Sequence, residues 1–462
     1  MFNKKVSFIA ISVISCILYY LFAYHLERTA FGKLILLWTV LFAGYTYFIN
    51  SNFSFKNLAA IAILFRLVFL IAMPNLSQDF YRFIWDGRMI LEGLNPYIYL
   101  PQTFIEEEFF IIEQSEELYA GMGPMNGSHY TNYPPLNQLC FLLAALFSSK
   151  SILCSVIVMR LQIILADIGI IYFGSKLLRK LNINPNNIFL YALNPFIIIE
   201  LTGNLHYEPV MLFFLIVALY LFHKRKWMLS GFLFAFSISI KLIPLLFLPI
   251  FLKRFLVRGK KVKWKENGIK LLLFYSIIIS TTGILFLPFV SEFLIDSYSN
   301  SVGLWFRSFE FNASFYYIFR EIGYLFRGYN EIAVIGKIAP ILTIIFLLSV
   351  SLFRRNKTTA EIITSMLFAL SFYYFTTTTM HPWYLATLVV LSIFTKYRFP
   401  IIWSFVIILS YQAYANTPWK ENLWFVALEY FIVYGYLIYE LKKPTQRLSG
   451  KNCYEKEKES GL

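Results

Sequence analysis

Apolar runs close to 20 residues long recur along the whole chain, and this constrains the fold more than any other feature. About 20 such residues cross a bilayer as one helix. Candidate spans are 6–24, 34–50, 58–73, 136–148, 152–175, 188–203, 207–222, a broken pair 227–240 and 242–252, 269–289, 332–353, 361–377, 382–395, 399–414 and 423–441. Backbone polar groups in lipid must be satisfied within the protein, so open sheets are excluded. The reading is all-α: a polytopic transmembrane bundle of about 11–14 membrane segments, one domain over 1–441, with interfacial helices in outer loops 74–135 and 290–331. With 58% hydrophobic residues, the chain does not read as a soluble domain. The first run is too long for a signal-peptide core and has no small-residue cleavage site, so it is expected to be retained. The basic tail 442–462 is expected to be cytoplasmic and disordered.

The net charge of +15 does not indicate nucleic-acid binding, because of where the charge lies. With the N-terminus inside, 28 of the 41 Lys and Arg fall in cytoplasmic loops and tails, whereas loop 74–135 carries nine acids and two bases. This is positive-inside asymmetry, and its partners are membrane lipids. For the crossings to balance, 136–148 and 227–252 must each enter and leave on one side. The first is short and follows Pro134-Pro135, and the second is interrupted at Lys241-Leu-Ile-Pro244. Broken segments at membrane depth line cavities rather than lipid. The four cysteines follow no metal or disulfide spacing.

The polar residues that remain concentrate on the outer side. In Ser77-Gln-Asp-Phe-Tyr-Arg-Phe-Ile-Trp-Asp-Gly-Arg88, helical pitch puts Asp79, Arg82 and Asp86 on one face. Gly93 is placed to stop that helix in a left-handed cap, and Asn95-Pro96 prevents its resumption. Such a face is either a structural ion-pair cluster or a general base beside cations that take an anionic substrate, Arg82 and Arg88 among them. Tyr133-Pro-Pro-Leu136 starts a helix and offers a rigid wall beside that face. Arg66, Arg160 and Asp167 lie inside spans and read as structural, with Arg160 and Asp167 paired to each other or to a neighbouring helix. Asn194-Pro195, Glu200, Gly203-Asn204, His206 and Glu208 gather at the outer end of a hairpin. They either bind substrate or, through Asp79, His206 and Glu208, hold a divalent ion such as Mg or Mn. Lys241 needs an anion, for which a lipid phosphate is one candidate. Arg307, in an aromatic outer segment, and His381, in His-Pro-Trp-Tyr384, are further candidate phosphate partners.

Taken in order, Asp79-Phe-Tyr-Arg-Phe-Ile-Trp-Asp-Gly-Arg88 with Gly93-Leu-Asn-Pro-Tyr97, Tyr133-Pro-Pro-Leu136, Asn194-Pro195 with Glu200 and Gly203-Asn-Leu-His206, Lys241-Leu-Ile-Pro244 and His381-Pro-Trp-Tyr384 resemble the bacterial GT-C membrane glycosyltransferases. The branch they resemble is the polyprenol-phosphate-mannose-dependent mannosyltransferases, distantly similar to glycosylphosphatidylinositol mannosyltransferase I. The resemblance implies a sugar carried on a polyprenyl phosphate, an inverting transfer to a lipid or glycan hydroxyl on the outer face, and a catalytic acid that maps onto Asp79. The chemistry of such a transfer then makes Arg82 and Arg307 candidate phosphate partners, with Lys241 and His381 behind them, while Asp86, Glu200, His206 and Glu208 orient acceptor or sugar, or hold an optional ion. Family members often carry two adjacent acids where this chain has Gln78-Asp79, and usually Asp at the place of Glu208. The expected location is a bacterial inner membrane, with the site facing the periplasm or exterior. Two other classes share some features: a transporter or flippase, through broken helices and intramembrane charges, and a non-catalytic scaffold subunit. The large outer loops, and the absence of a repeated broken-helix pattern, favour the enzyme.

Overall fold

The structure is a computed structural model that describes residues 4–443, apart from 259, 260, 263 and 308; the side chains of 258–266 and 305–308 lie outside the description. Arg307 and Cys453 therefore lie, as side chains, outside the described residues.

Long apolar runs become helices wherever no proline or polar turn interrupts them. In chain order these are α1 (Lys4–His25), α2 (Phe31–Asn50), α3 (Phe55–Leu67), α4 (Asp79–Leu91), α5 (Pro101–Glu106), α6 (Ser115–Gly127), α7 (Pro135–Phe147), α8 (Ile152–Lys180) and α9 (Phe189–Ala192). A π-helix, Ile197–Gly203, separates α9 from α10 (Glu208–His223). Then follow α11 (Trp227–Ile240), α12 (Leu252–Leu256), α13 (Trp264–Phe286), α14 (Leu294–Arg307), α15 (Phe315–Arg327), α16 (Ile332–Phe353), α17 (Thr359–Thr376), α18 (Ala386–Ile393), α19 (Phe399–Val406) and α20 (Leu423–Lys442). Two-residue strands, β1 (Val257–Arg258) and β2 (Lys261–Val262), pair antiparallel and make up the only sheet among the described residues. The fold is the all-α membrane bundle expected from the sequence.

Among the described residues, six helices are long and apolar enough to cross a membrane singly: α1, α2, α8, α13, α16 and α20. The π-helix and α10, bent by 111°, make a seventh span or a re-entrant loop. The remaining apolar helices among the described residues are shorter, so six or seven spans meet the length and composition needed to cross, against the 11–14 segments expected from the sequence. Asn194-Pro195 and the π-helix break one of them, and Lys241, extended at φ −148° and ψ 142°, ends α11 before the 3-10 segment Ile243–Phe251.

Charge is sorted between the two ends of the bundle. At one end Lys253 donates to Arg354 O (2.6 Å), Arg254 to Lys357 O (2.8 Å), and Arg398 N to Glu440. At the other, Leu76 N donates to Asn204 Oδ1 (3.0 Å), Asn95 Nδ2 to Phe289 O (2.8 Å) and Asn312 N to Glu421 (2.7 Å). The basic loops thus share one end, and the two acid-bearing loops share the other. Lys241, at the tip of the 227–252 hairpin, reaches Glu208, while Lys253 is back at the basic end, so this hairpin enters and leaves on one side.

Loop 290–331 forms the amphipathic helices α14 and α15. On α15, Leu325 and Phe326 are about 85% exposed, whereas Arg320 turns to Glu310 (2.6 Å), as suits an interfacial element. The helix α4 differs from its sequence reading. It is not a surface helix with a wet face. Residues from Phe80 to Met89 are buried apart from Tyr81, because α6 covers one side and α7 the other. Gly87 makes this possible, since a Cβ there would sit 2.3 Å from Phe141 O. Gly93, at φ +76°, ends the helix as expected.

The intramembrane charges are structural, but Arg160 and Asp167 do not pair with each other. Asp167 accepts from Arg66 Nε (2.7 Å) and from the Tyr191 hydroxyl (2.6 Å). Arg160 donates to Thr202 O, Gly203 O and Leu70 O (2.8–2.9 Å). It therefore caps the carbonyl end of the π-helix, where no backbone donor is available. Cys16, Cys140 and Cys154 are free.

Candidate active site

Helix α4 begins at the acid-rich end, and its first residue is Asp79. Burial of the rest of the helix fixes that carboxylate in place. It is half-buried and has no hydrogen-bond partner among the described residues; only its backbone N–H is bonded, to Ser77 Oγ (3.3 Å). Burial lifts its pKa from 3.8 to about 6; the nearby charges of Lys241 and Arg28 oppose the shift, and Glu208 adds to it. The cations beside Asp79 are therefore Lys241 and Arg28. Arg82, its expected neighbour, instead binds Asp86 (2.7 Å), Asn126 O and His129 O (both 2.7 Å). Asp86 is fully buried and also accepts from Gln138 (3.0 Å). Arg88 donates to Glu113 O and Gln114 Oε1. Arg82, Asp86 and Arg88 thus tie α4 to α6, to α7 and to the segment just before α6, as a structural ion-pair cluster does.

Lys241 forms an ion pair with Glu208 at 2.5 Å, with side-chain exposures of 16% and 3%. The second oxygen of Glu208 is buried without a partner, as are one oxygen of Glu200 and Nε2 of His206. Buried polar atoms left unmatched are costly, so these three offer hydrogen-bond partners to a polar ligand. The other Glu200 oxygen accepts from the Tyr411 hydroxyl (2.7 Å). Asn204 is committed to the turn, accepting from Leu76 N and donating to Ile199 O.

The far wall is a stack of rings. His206 lies on Trp383 (3.9 Å, 16°), Trp383 on His381 (4.5 Å, 4°), and His381 on Phe311 (5.4 Å, 30°). Phe311 is held by backbone pairing with Thr378 and Met380, and next to it Asn312 is held by Glu429 (3.1 Å) and Tyr430 (2.7 Å). Burial, Lys241 and Arg28 depress His381 to about 3, so it is a neutral donor at ordinary pH rather than a cation. Tyr133 stands near Asp79 and Tyr384, and burial pushes its hydroxyl well above 10.

The structure thus brings Asp79, Tyr133, Glu200, His206, Glu208, Lys241 and His381 to one end, from distant parts of the sequence. Arg28 was not anticipated. It stacks on Tyr414, 3.3 Å from the ring centroid, in the short connection between α1 and α2. A cation on the acid-rich side, against the charge rule, is the signal that could have identified it. Among the described residues no three His, Cys, Asp or Glu converge as metal ligands. Glu208 is paired with Lys241 and His206 is stacked on Trp383, so with Asp79 they do not fit a resident divalent ion.

No curated protein matches the chain. A family model described as alpha-(1->6)-mannopyranosyltransferase, N-terminal domain, does match, over residues 15–256 and so more than half of the chain, and the chain belongs to that MptA/B family of membrane mannosyltransferases.

Proposed function

We propose that the chain is a GT-C-type enzyme that transfers mannose from a polyprenyl-phosphate donor to a hydroxyl of a lipid or glycan acceptor. The transfer takes place at the acid-rich end, facing the periplasm or exterior of a bacterial inner membrane, with Asp79 as general base. The observation that carries this reading is the state of Asp79: held by a buried helix, unpartnered, and flanked by Lys241 and Arg28. A carboxylate kept only for stability would be expected to be hydrogen-bonded, as Asp86 and Asp167 are.

In this reading the acceptor O–H gives its proton to Asp79 as its oxygen attacks the anomeric carbon. The bond from that carbon to the phosphate oxygen breaks, and polyprenyl phosphate leaves with the electron pair. Attack opposite the phosphate inverts the centre through an oxocarbenium-like transition state. To give the alpha linkage in the family's name, the donor sugar must then be beta-linked. Lys241 and Arg28 are placed to meet the phosphate charge, and His381 to donate a hydrogen bond to it. Glu200, His206 and Glu208 offer partners to sugar hydroxyls. The transfer also requires that water be excluded, since water would hydrolyse the donor.

The test is transfer from radiolabelled polyprenyl-phosphate mannose to a panel of lipid and glycan acceptors by purified wild type and Asp79→Asn. Equal transfer by the two proteins removes Asp79 from its role. No transfer by wild type to any acceptor rejects the donor.

A further inference from the structure

At the basic end, a groove of about 330 Å³ runs between α3 and α8. This is within the ~300–1,000 Å³ range of ligand sites. Phe55, Ala59 and Ile63 form one wall, Ile168 and Ile171 the other, and Lys176 and Arg179 stand at the end of the groove where α8 terminates. None of the lining residues is acidic. Ile168 and Tyr172 are exposed on the outside of the bundle, so the groove opens toward lipid. Lys176 is braced by Tyr172, donating to its hydroxyl and lying 3.9 Å from its ring centroid, and two of its three donors remain. The Arg179 side chain is exposed and has no ion-pair or hydrogen-bond partner among the described residues.

We infer that this groove is a binding site for an anionic phospholipid, one acyl chain lying on the apolar walls and the phosphate headgroup held by Lys176 and Arg179. The geometry selects a lipid because the apolar channel continues directly from the cationic mouth, which a free phosphate would not use. It is not the donor site. Arg160, level with the π-helix end, is 16 residues from Lys176 along α8, or ~24 Å at ~1.5 Å per residue. The inference therefore stands apart from the mannosyl-transfer reading.

Native mass spectrometry of the full chain, released from detergent with added phosphatidylglycerol or phosphatidylcholine, tests it. Wild type should retain the anionic lipid about tenfold better, and Lys176→Gln/Arg179→Gln should lose that preference. Ile63→Trp, which fills the groove, should lower retention of both lipids. Lys224→Gln/Lys226→Gln, at the same end but outside the groove, should change nothing. Equal retention of the two lipids by wild type overturns the site, as does an equal loss in the Lys224/Lys226 control. Competition by inorganic phosphate at the same concentration would replace the lipid with a free anion and also overturns it.

Discussion

Replacing Asp79 with Asn should separate catalysis from stability, which replacing a structural ion-pair partner would not do. The carboxyl titrates at about 6 in the folded protein against 3.8 when exposed. The native state therefore holds this proton more tightly than the unfolded chain. The stability it contributes is fully present below pH 3.8, falls as pH rises, and is gone above about 6. A shift of about two pH units corresponds to at most ~3 kcal/mol. Because the side chain is only half-buried, ~1 kcal/mol is the figure to use after screening. Asn carries no charge to desolvate. In detergent at neutral pH, Asp79→Asn should thus unfold at the wild-type temperature or about 1–2 °C above it. The gap should close near pH 4. Transfer should fall by about 10²–10⁴, the usual worth of a general base. Thermal unfolding by intrinsic fluorescence, read beside initial transfer rates, decides the matter. A variant that unfolds several degrees lower, with transfer lost only in proportion to the folded fraction, refutes the reasoning and makes Asp79 a structural anion.

Four further outcomes are expected. The wild-type transfer rate should rise with pH through about 6 as Asp79 ionises, and a profile flat from pH 5 to 8 would contradict this. Gly87→Ala forces a Cβ to within 2.3 Å of Phe141 O and should cost ~1–3 kcal/mol by separating α4 from α7, seen as a lowered unfolding temperature. Lys241→Met strands the buried Glu208 carboxylate and should destabilise by ~3 kcal/mol, with the added Glu208→Gln restoring part of the stability but not donor affinity. Arg160→Leu leaves the Thr202 and Gly203 carbonyls without donors and should lower stability by ~2 kcal/mol or more, while Arg160→Lys recovers only part of it.

Much of the site was legible because lipid makes polar residues conspicuous. In a chain this apolar, Asp79, Glu200, His206, Glu208 and Lys241 each stand out against their surroundings. The 227–252 hairpin was also legible, from a lysine in mid-run, because charge on the loops fixes the parity of crossings. Pairing was not legible. Helical pitch placed Asp79, Arg82 and Asp86 on one face but could not say which acid would take the guanidinium. The approach of Asn126, His129 and Gln138, from α6, α7 and the loop between them, settled that. The partners of Arg28 and of His206 could not be read for the same reason, since Tyr414 and Trp383 lie far from them along the chain.

The sequence alone determined that the chain is a membrane helix bundle, where it turns, and that its charges divide between two ends. These follow from the free energy of moving each side chain between water and lipid, a property local to each segment. Only the tertiary structure decided which of its charged groups are neutralised against one another, and that Asp79 at the acid-rich end has no hydrogen-bond partner among the described residues. That depends on distances between helices far apart in the chain, and no local preference encodes them.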